Sequence, residues 1–471
     1  PAPPAPPAPP AGGAPAAPPS SAARGSASSP TLFVPSSTLD LAALTRLIAQ
    51  NTAAIETAAL EADLAAAEVA QSRLFDNPTL DATWDTIPLG ETNPPGMARP
   101  FASIPNYGVG LSYTVPLGKR GPRQDRAVAL ERAARASLDA GTRERAIELA
   151  RLLGTLATST LRLVGVRGIV DSGTRAIAVA EDRLASSFGT PLDIDRLKIE
   201  VARAEQQVLS AESDRTYALA ACASLVGMTC RPFRSDGEAR SFLTAWLDQA
   251  SRRATTAASL EERPDVRALD AYGKAATAEA RLARAQAIPD PTVRLGYVHD
   301  RFLISGNQQN SLNLSVSLPL PFFDHGQAQA RAAESKRSRF SQQRVKTLQA
   351  ARAKLPALTQ RLAAQRERQE ALSTRIMPQA LAVLSNVERA VEGRLLPLSD
   401  AIQARRAVGE LLVEEADSFA DAFDAALTLT AELPPTAPST PATPATPATP
   451  ATPATPAKHT THTTNAAPTL K

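Results

Sequence analysis

Few side chains in this sequence have the type and spacing that chemistry at a site requires. His459 and His462 form an H-x-x-H pair in the C-terminal tail, a spacing that at best binds a metal weakly. His299 and His325 have no Cys, Asp or second His at ligand spacing. With four His and three Met in 471 residues, the sequence predicts no metal centre or cofactor, and no nucleophile–base pair indicates an enzyme.

Three aspartates follow glycine turns inside long helical tracts. Gly189 and Gly393 are predicted to end two outgoing helices, because glycine readily adopts the conformation that terminates a helix. Asp193, Asp195 and Asp400 then fall in the first turns of the returning helices. Carboxylates at such positions cap free N–H groups and complement the helix dipole, which is a sufficient explanation for a single chain.

The two cysteines lie close together in the sequence "ACASLVGMTC". Cys222 and Cys230 are either a small buried residue and a loop residue, or a local disulfide. A disulfide requires an oxidising compartment.

Two stretches alternate apolar and polar residues with the period of a β-strand. In residues 310–323 the apolar positions include Leu312, Leu314, Val316 and Leu318, and in residues 107–119 they include Tyr107, Val109, Leu111 and Tyr113. A first strand precedes each of them, at residues 79–84 and 292–297. The polar faces read as small and uncharged, so the apolar faces are predicted to contact lipid, although hairpins covering a soluble helical core have the same pattern. Since four strands cannot close a barrel, several chains must contribute.

Very long helices are predicted between and after these strands. No proline interrupts residues 123–190, a span that would approach 100 Å as one helix at about 1.5 Å per residue. The second half has a similar tract over residues 325–392, in which Pro356 and Pro378 are each predicted to kink or break the helix.

The order helix, strand, loop, strand, long helices occurs twice, which predicts an internal duplication. Repeat 1 is placed at residues 38–232, an inter-repeat segment at 233–262 and repeat 2 at 263–432. Pro/Ala-rich residues 1–37 and Pro/Ala/Thr-rich residues 433–471 are predicted to be disordered, because such compositions cannot bury a core.

The sequence blocks around the strands resemble the outer membrane factor (TolC-like) family. "NPTL…VPLGKRGPRQDRA" at 77–127 and "DPTVRLGY…NSLNLSVSLPLPFFDHGQAQARA" at 290–332 carry the resemblance, together with "ERPDVRAL" at 262–269. Leu117–Arg120 is similar to a "GGKR" block and Pro319–Asp324 to a "PLPLF" block of the channels of cobalt–zinc–cadmium-type heavy-metal efflux systems.

This resemblance implies an α+β membrane protein that forms a homotrimer. Four strands from each chain would build one twelve-stranded β-barrel in the outer membrane, continued by a long α-helical barrel in the periplasm. The tips at Gly189 and Gly393 would dock on a periplasmic adaptor (membrane fusion) protein, which bridges to an inner-membrane pump of the resistance-nodulation-division type. Asp195, Asp400 and Asp193 would form an acidic ring at the entrance, attractive to cations. Gln403 stands where relatives carry a further Asp.

The expected function is therefore a passive exit channel of a tripartite efflux pump that conducts heavy-metal cations. The alternative is a periplasmic coiled-coil scaffold without a pore, which has no need of the alternating strands. A net charge of +4 with 21% charged residues argues against a nucleic-acid binder, and no run of apolar residues long enough for a transmembrane helix is present.

Overall fold

The computed structural model describes residues 32–33, 35–36, 39–50, 55–85, 87, 89–91, 95–96, 98–186, 189–255, 259–300 and 308–435. Most residues of the two segments that were predicted to be disordered are outside the part of the chain that the structure describes, and so are His459 and His462.

The described residues form long helices and two small sheets. In chain order the elements of the first half are β1 (Leu32–Phe33), α1 (Leu41–Gln50), α2 (Glu56–Arg73), β2 (Thr79–Asp85), α3 (Pro100–Ser103), β3 (Asn106–Thr114), α4 (Arg120–Ala185), α5 (Pro191–Val226), β4 (Thr229–Cys230) and α6 (Asp236–Ala254). A short 3₁₀ helix, Leu260–Glu262, leads to α7 (Pro264–Ala285), β5 (Thr292–His299), β6 (Asn310–Ser317), α8 (Gln327–Ala371), α9 (Met377–Glu392) and α10 (Leu398–Glu432).

The four longer strands form one antiparallel sheet in the order β2–β3–β5–β6. The central pairing of β3 with β5 joins the two hairpins. Leu111 lies opposite both Leu80 and Leu295, and Leu295 lies opposite Leu314, so the apolar positions of all four strands share one face. Leu318, which the sequence placed on this face, lies beyond the end of β6. The strand stops at Ser317 because the nearby Pro319 has no N–H group to donate to a ladder.

Helix α4 is the longest element, with 66 residues and therefore a length of about 100 Å. Its buried leucines Leu149, Leu153 and Leu156 recur at spacings of four and three, which turns one face toward the neighbouring helices. One 18-residue stretch of α4 is apolar enough to cross a membrane by length and composition, but 61% of it is buried inside the protein, as in a core helix.

The two prolines of the second long tract behave differently. Helix α8 continues through Pro356, so the predicted break does not occur there: Pro356 and Arg352, four residues earlier, are both exposed, and water can replace the lost backbone hydrogen bond. Near Pro378 the α-helix does change, because a π-helical segment, Leu372–Ile376, separates α8 from α9, and Pro378 lies in the first turn of α9.

An aromatic cluster lies where α4, α6 and α10 meet. The ring of Phe423 is 5.5 Å from Trp246 and 5.9 Å from Phe242, measured between centroids. Gly154 of α4 faces this cluster, and a Cβ atom there would overlap the Phe423 ring. The glycine therefore lets α10 approach α4 closely.

Cys222 and Cys230 are joined in a disulfide, with their Sγ atoms 1.94 Å apart. The bond ties the end of α5 to β4, the strand that pairs in parallel with β1. The N–H of Arg231 also donates to the carbonyl of Phe33 at 3.0 Å, so this short ladder holds the described N-terminal residues against the helices.

Arginine side chains donate hydrogen bonds to the carbonyl groups at the C-terminal end of α10. The guanidinium of Arg143 donates to the carbonyl of Thr430 at 2.9 Å and also to that of Leu433, and Arg253 donates to the carbonyl of Pro434. Burial, followed by the charges of Arg253 and Arg263, lowers the pKa of Arg143 to about 10. Free carbonyls at a helix end favour such cationic donors, which fix the point where the last helix stops.

Candidate channel wall and helical tips

The apolar face of the four-stranded sheet is exposed. Leu80, Leu312 and Leu314 are each more than 70% exposed, and Val109 and Leu111 are about half exposed. The other apolar members of this face are Ala82, Trp84, Tyr107, Tyr113, Val293, Leu295, Tyr297 and Val316. A continuous apolar surface of this kind marks contact with a membrane or another protein.

The opposite face of the sheet carries polar residues, including an ion pair. The guanidinium of Arg294 on β5 donates to the carboxylate of Asp81 on β2, passing over Gly110 of the intervening strand β3. A Cβ atom on Gly110 would lie 2.8 Å from Arg294 Nε and 2.9 Å from Asp81 Oδ2. The sequence-based description of this face as uncharged is therefore wrong: charge is present, and it is paired across three strands.

Adding a methyl group at Gly110 is expected to break this ion pair and destabilise the sheet. Gly110→Ala should lower the thermal midpoint of the β-structure, because the new Cβ atom occupies the path between the two charges. Gly296→Ala is the matched control, since Gly296 faces Gly110 across the ladder and its Cβ would meet its nearest neighbour only at 3.7 Å. Circular dichroism melting measures both variants, and equal midpoints would contradict this role for Gly110.

Both edges of the sheet are open in the described chain. Strand β2 pairs only with β3 and strand β6 only with β5, so one side of each edge strand has no ladder partner among the described residues. Unpaired backbone groups cost several kcal/mol each in hydrocarbon. If the apolar face lies in lipid, another chain must therefore complete these edges.

At the first helical tip, Asp193 is engaged locally. Its N–H donates to the hydroxyl of Thr190, the N-terminal cap of α5, at 3.3 Å, and its carboxylate accepts from the same hydroxyl at 2.7 Å. The carboxylate also lies 3.9 Å from the guanidinium of Arg196. Asp195 is exposed and makes no ion pair within the described residues. Of the two first-tip carboxylates, only that of Asp195 has neither a capping contact nor a cation beside it.

The second helical tip places Asp400 in the first turn of α10. Its carboxylate accepts from the hydroxyl of Ser399 at 3.3 Å. Gly393 does follow the end of α9, but its φ is −73°, so it does not supply the left-handed residue expected of a glycine stop. Arg394, with φ of 61°, takes that conformation instead. At the other turn a Cβ on Gly189 would lie 3.1 Å from the backbone nitrogen of Leu184, which favours glycine there.

The two tips are linked by Arg183 at the end of α4, whose guanidinium donates to the carbonyl of Val391 near the end of α9. Sequence reasoning missed this contact and the Asp81–Arg294 pair. The charges of the pair were visible on the polar positions of their strands, but only the β3–β5 pairing brings them together. Within the described residues, no three His, Cys, Asp or Glu side chains gather as a metal site would require.

No protein-family model matches the chain. A curated relative, the pyoverdine export outer membrane protein OpmQ of Pseudomonas aeruginosa, is 26% identical over 243 residues, and the match spans 48% of this chain and 48% of OpmQ. The chain thus aligns with about half the length of that relative.

Solved structures extend the similarity over most of the chain. A membrane protein from Pseudomonas aeruginosa superposes with a TM-score of 0.64 at 18% identity, covering 86% of this chain and 99% of the other. The outer-membrane channel OprN superposes with a TM-score of 0.63 at 18% identity, covering 83% and 89%. The chain therefore has the fold of an outer-membrane channel.

Proposed function

We propose that this protein is a member of the outer membrane factor family and serves as the outer-membrane exit channel of an efflux system. One observation carries the proposal: a four-stranded sheet, open at both edges, has an exposed apolar face and a polar face. In a barrel wall the apolar face contacts lipid and the polar face lines water. The similarity to OpmQ, an export protein by its name, supports the same conclusion.

In the proposed assembly three copies close the barrel. Strand β2 of one copy pairs with β6 of the next, which satisfies both open edges. The helices continue into the periplasm, where the turns at Gly189 and Gly393 dock on an adaptor protein that reaches an inner-membrane pump. The pump supplies the energy and the channel conducts passively.

The cargo assigned by the sequence resemblance is heavy-metal cations, and the aspartates at the helical tips support a cation-attracting entrance. Asp195 and Asp400 are the better candidates for this ring, since Asp193 is engaged by Thr190 and Arg196. Three copies of each carboxylate would concentrate negative charge at the entrance.

Single-channel recording in a planar lipid bilayer tests the conducting function and its entrance. Wild-type protein is expected to give discrete, cation-preferring current steps, and Asp195→Asn and Asp400→Asn should each reduce the cation preference, because each removes three charges from the trimer. Asp193→Asn is the control with a smaller expected change. If the current steps keep their cation preference in both Asp195→Asn and Asp400→Asn, the conducting function stands but the acidic entrance is contradicted.

A further inference from the structure

A groove runs along the seam between α4 and α7. It consists of two adjoining cavities of about 470 and 500 Å³, which share Ala129, Arg132 and Lys274 in their walls. On α4 the lining extends from Gln124 to Asp139, a distance of about 22 Å along the helix. The two cavities therefore form one elongated site rather than two separate ones.

Arginines dominate the charge of this groove. Five lining arginines make no ion pair within the described residues: Arg73, Arg132, Arg267, Arg281 and Arg344. The Nε of Arg344 is buried and has no hydrogen-bond partner in the described structure.

The acidic side chains of the groove do not neutralise these arginines. Asp270 pairs with Lys274 at 2.7 Å, and Glu261 lies 3.5 Å from Arg352, which is outside the groove. Asp125 and Asp139 are the lining carboxylates without an ion pair among the described residues. Among the described residues, five lining guanidinium groups without an ion pair thus outnumber two lining carboxylates without one.

The position of the groove leaves it accessible in the proposed trimer. Helices α4 and α7 pack against each other, α2 packs against α4 and α8 packs against α7. A neighbouring copy that completes the sheet edges would meet α2 or α8 before it reached this seam.

We propose that the α4–α7 groove binds a soluble solute carrying two or more carboxylate or phosphate groups. Planar guanidinium groups hold such oxyanions by paired hydrogen bonds, and several along one groove favour an extended polyanion. A lipid headgroup fits less well, because the groove is about 22 Å long whereas the headgroup layer of one leaflet is only about 5–8 Å thick.

The proposal goes beyond the proposed function, because the solute would be a ligand of the helical body and not the cation that the channel is proposed to conduct. The groove and the acidic entrance are separate sites, because Asp195 lies in α5 at the helical tip, beyond the C-terminal end of α4, and the groove lies along the N-terminal part of α4. At least 46 residues of α4 separate Asp139 from the tip, which corresponds to about 70 Å.

Isothermal titration calorimetry on the full-length protein in a non-ionic detergent tests the groove, with tripolyphosphate as the probe. Wild type is expected to bind saturably, and Arg132→Gln/Arg267→Gln should weaken binding by at least about tenfold. Arg151→Gln/Arg175→Gln is the matched control, because both arginines are exposed, lie on α4 outside the groove and remove the same charge. The control should stay within about twofold of wild type.

Three results would contradict the proposed binding of a soluble polyanion. The first is that wild type does not bind tripolyphosphate, and the second is that the control variant weakens this binding as much as Arg132→Gln/Arg267→Gln does. The third is that phosphatidylglycerol displaces tripolyphosphate, which would make a lipid headgroup the occupant. A second double variant, Arg73→Gln/Arg281→Gln, removes two other arginines of the groove and keeps the test valid if the first double variant does not fold. Bilayer recording of the same preparation separates the two proposals. If the protein conducts current but does not bind tripolyphosphate, the binding groove is contradicted and the channel function stands. If it binds tripolyphosphate but does not conduct, the channel function is contradicted and the binding groove stands.

Discussion

Leu314→Arg is expected to prevent stable insertion of the protein into the outer membrane, whereas Asn313→Arg leaves insertion intact. Leu314 lies in the middle of β6 on the apolar face and is 72% exposed, and Asn313 is its neighbour on the polar face, where it lies opposite Gly296. An arginine on the lipid face near the bilayer midplane costs about 2–4 kcal/mol, and a trimer incurs this cost three times. On the polar face the same side chain reaches water.

Membrane fractionation of cells expressing each variant measures this difference, with the folded, protease-resistant fraction in the outer membrane as the readout. Since both residues are exposed, a periplasmic scaffold would tolerate both arginines equally. Equal outer-membrane fractions for the two variants would therefore favour the scaffold and contradict the barrel.

Gly154→Ala is expected to destabilise the helical body, whereas Gly168→Ala stabilises it. Both glycines lie inside α4, where alanine is the better helix former by about 1 kcal/mol. At Gly168 a Cβ atom meets nothing within 4 Å, so that gain is realised. At Gly154 the Cβ overlaps the Phe423 ring, and overpacking a core costs about 1–3 kcal/mol. The two substitutions should therefore change stability in opposite directions.

Thermal unfolding followed by the fluorescence of Trp246 measures both variants, because that indole lies in the cluster that Phe423 joins. A Trp84→Phe background removes the other tryptophan. If Gly154→Ala raised the midpoint as Gly168→Ala does, the close approach of α4 and α10 at this glycine would be wrong.

The sequence predicted those features that depend only on the spacing of residues along a single strand or helix. The alternation in residues 107–115 and 310–317 identified β3 and β6 and their apolar face, since side chains alternate across a strand regardless of its partner. The absence of proline predicted the unusual length of α4. The relation of Cys222 to Cys230 was left open, because spacing alone does not decide whether two thiols meet.

Features that depend on long-range packing could not be read from local patterns. The Asp81–Arg294 pair needs β3 to pair with β5, more than 170 residues away, and needs a glycine between the two charges. Pro356 was predicted to kink or break α8 and does not break it, because tolerance of a proline depends on the exposure of that helix face. The arginine groove escaped detection because its members come from α2, α4, α7 and α8.

The central claim is that three copies join their four-stranded sheets into one closed barrel within a lipid bilayer. Cryo-electron microscopy of the full-length protein in lipid nanodiscs measures this directly. The account predicts three chains, with β2 of each beside β6 of its neighbour, Leu314 facing lipid and the Asp81–Arg294 pair facing the lumen. A particle whose sheet lies outside the bilayer, or whose chains leave β2 and β6 unpaired, would contradict it.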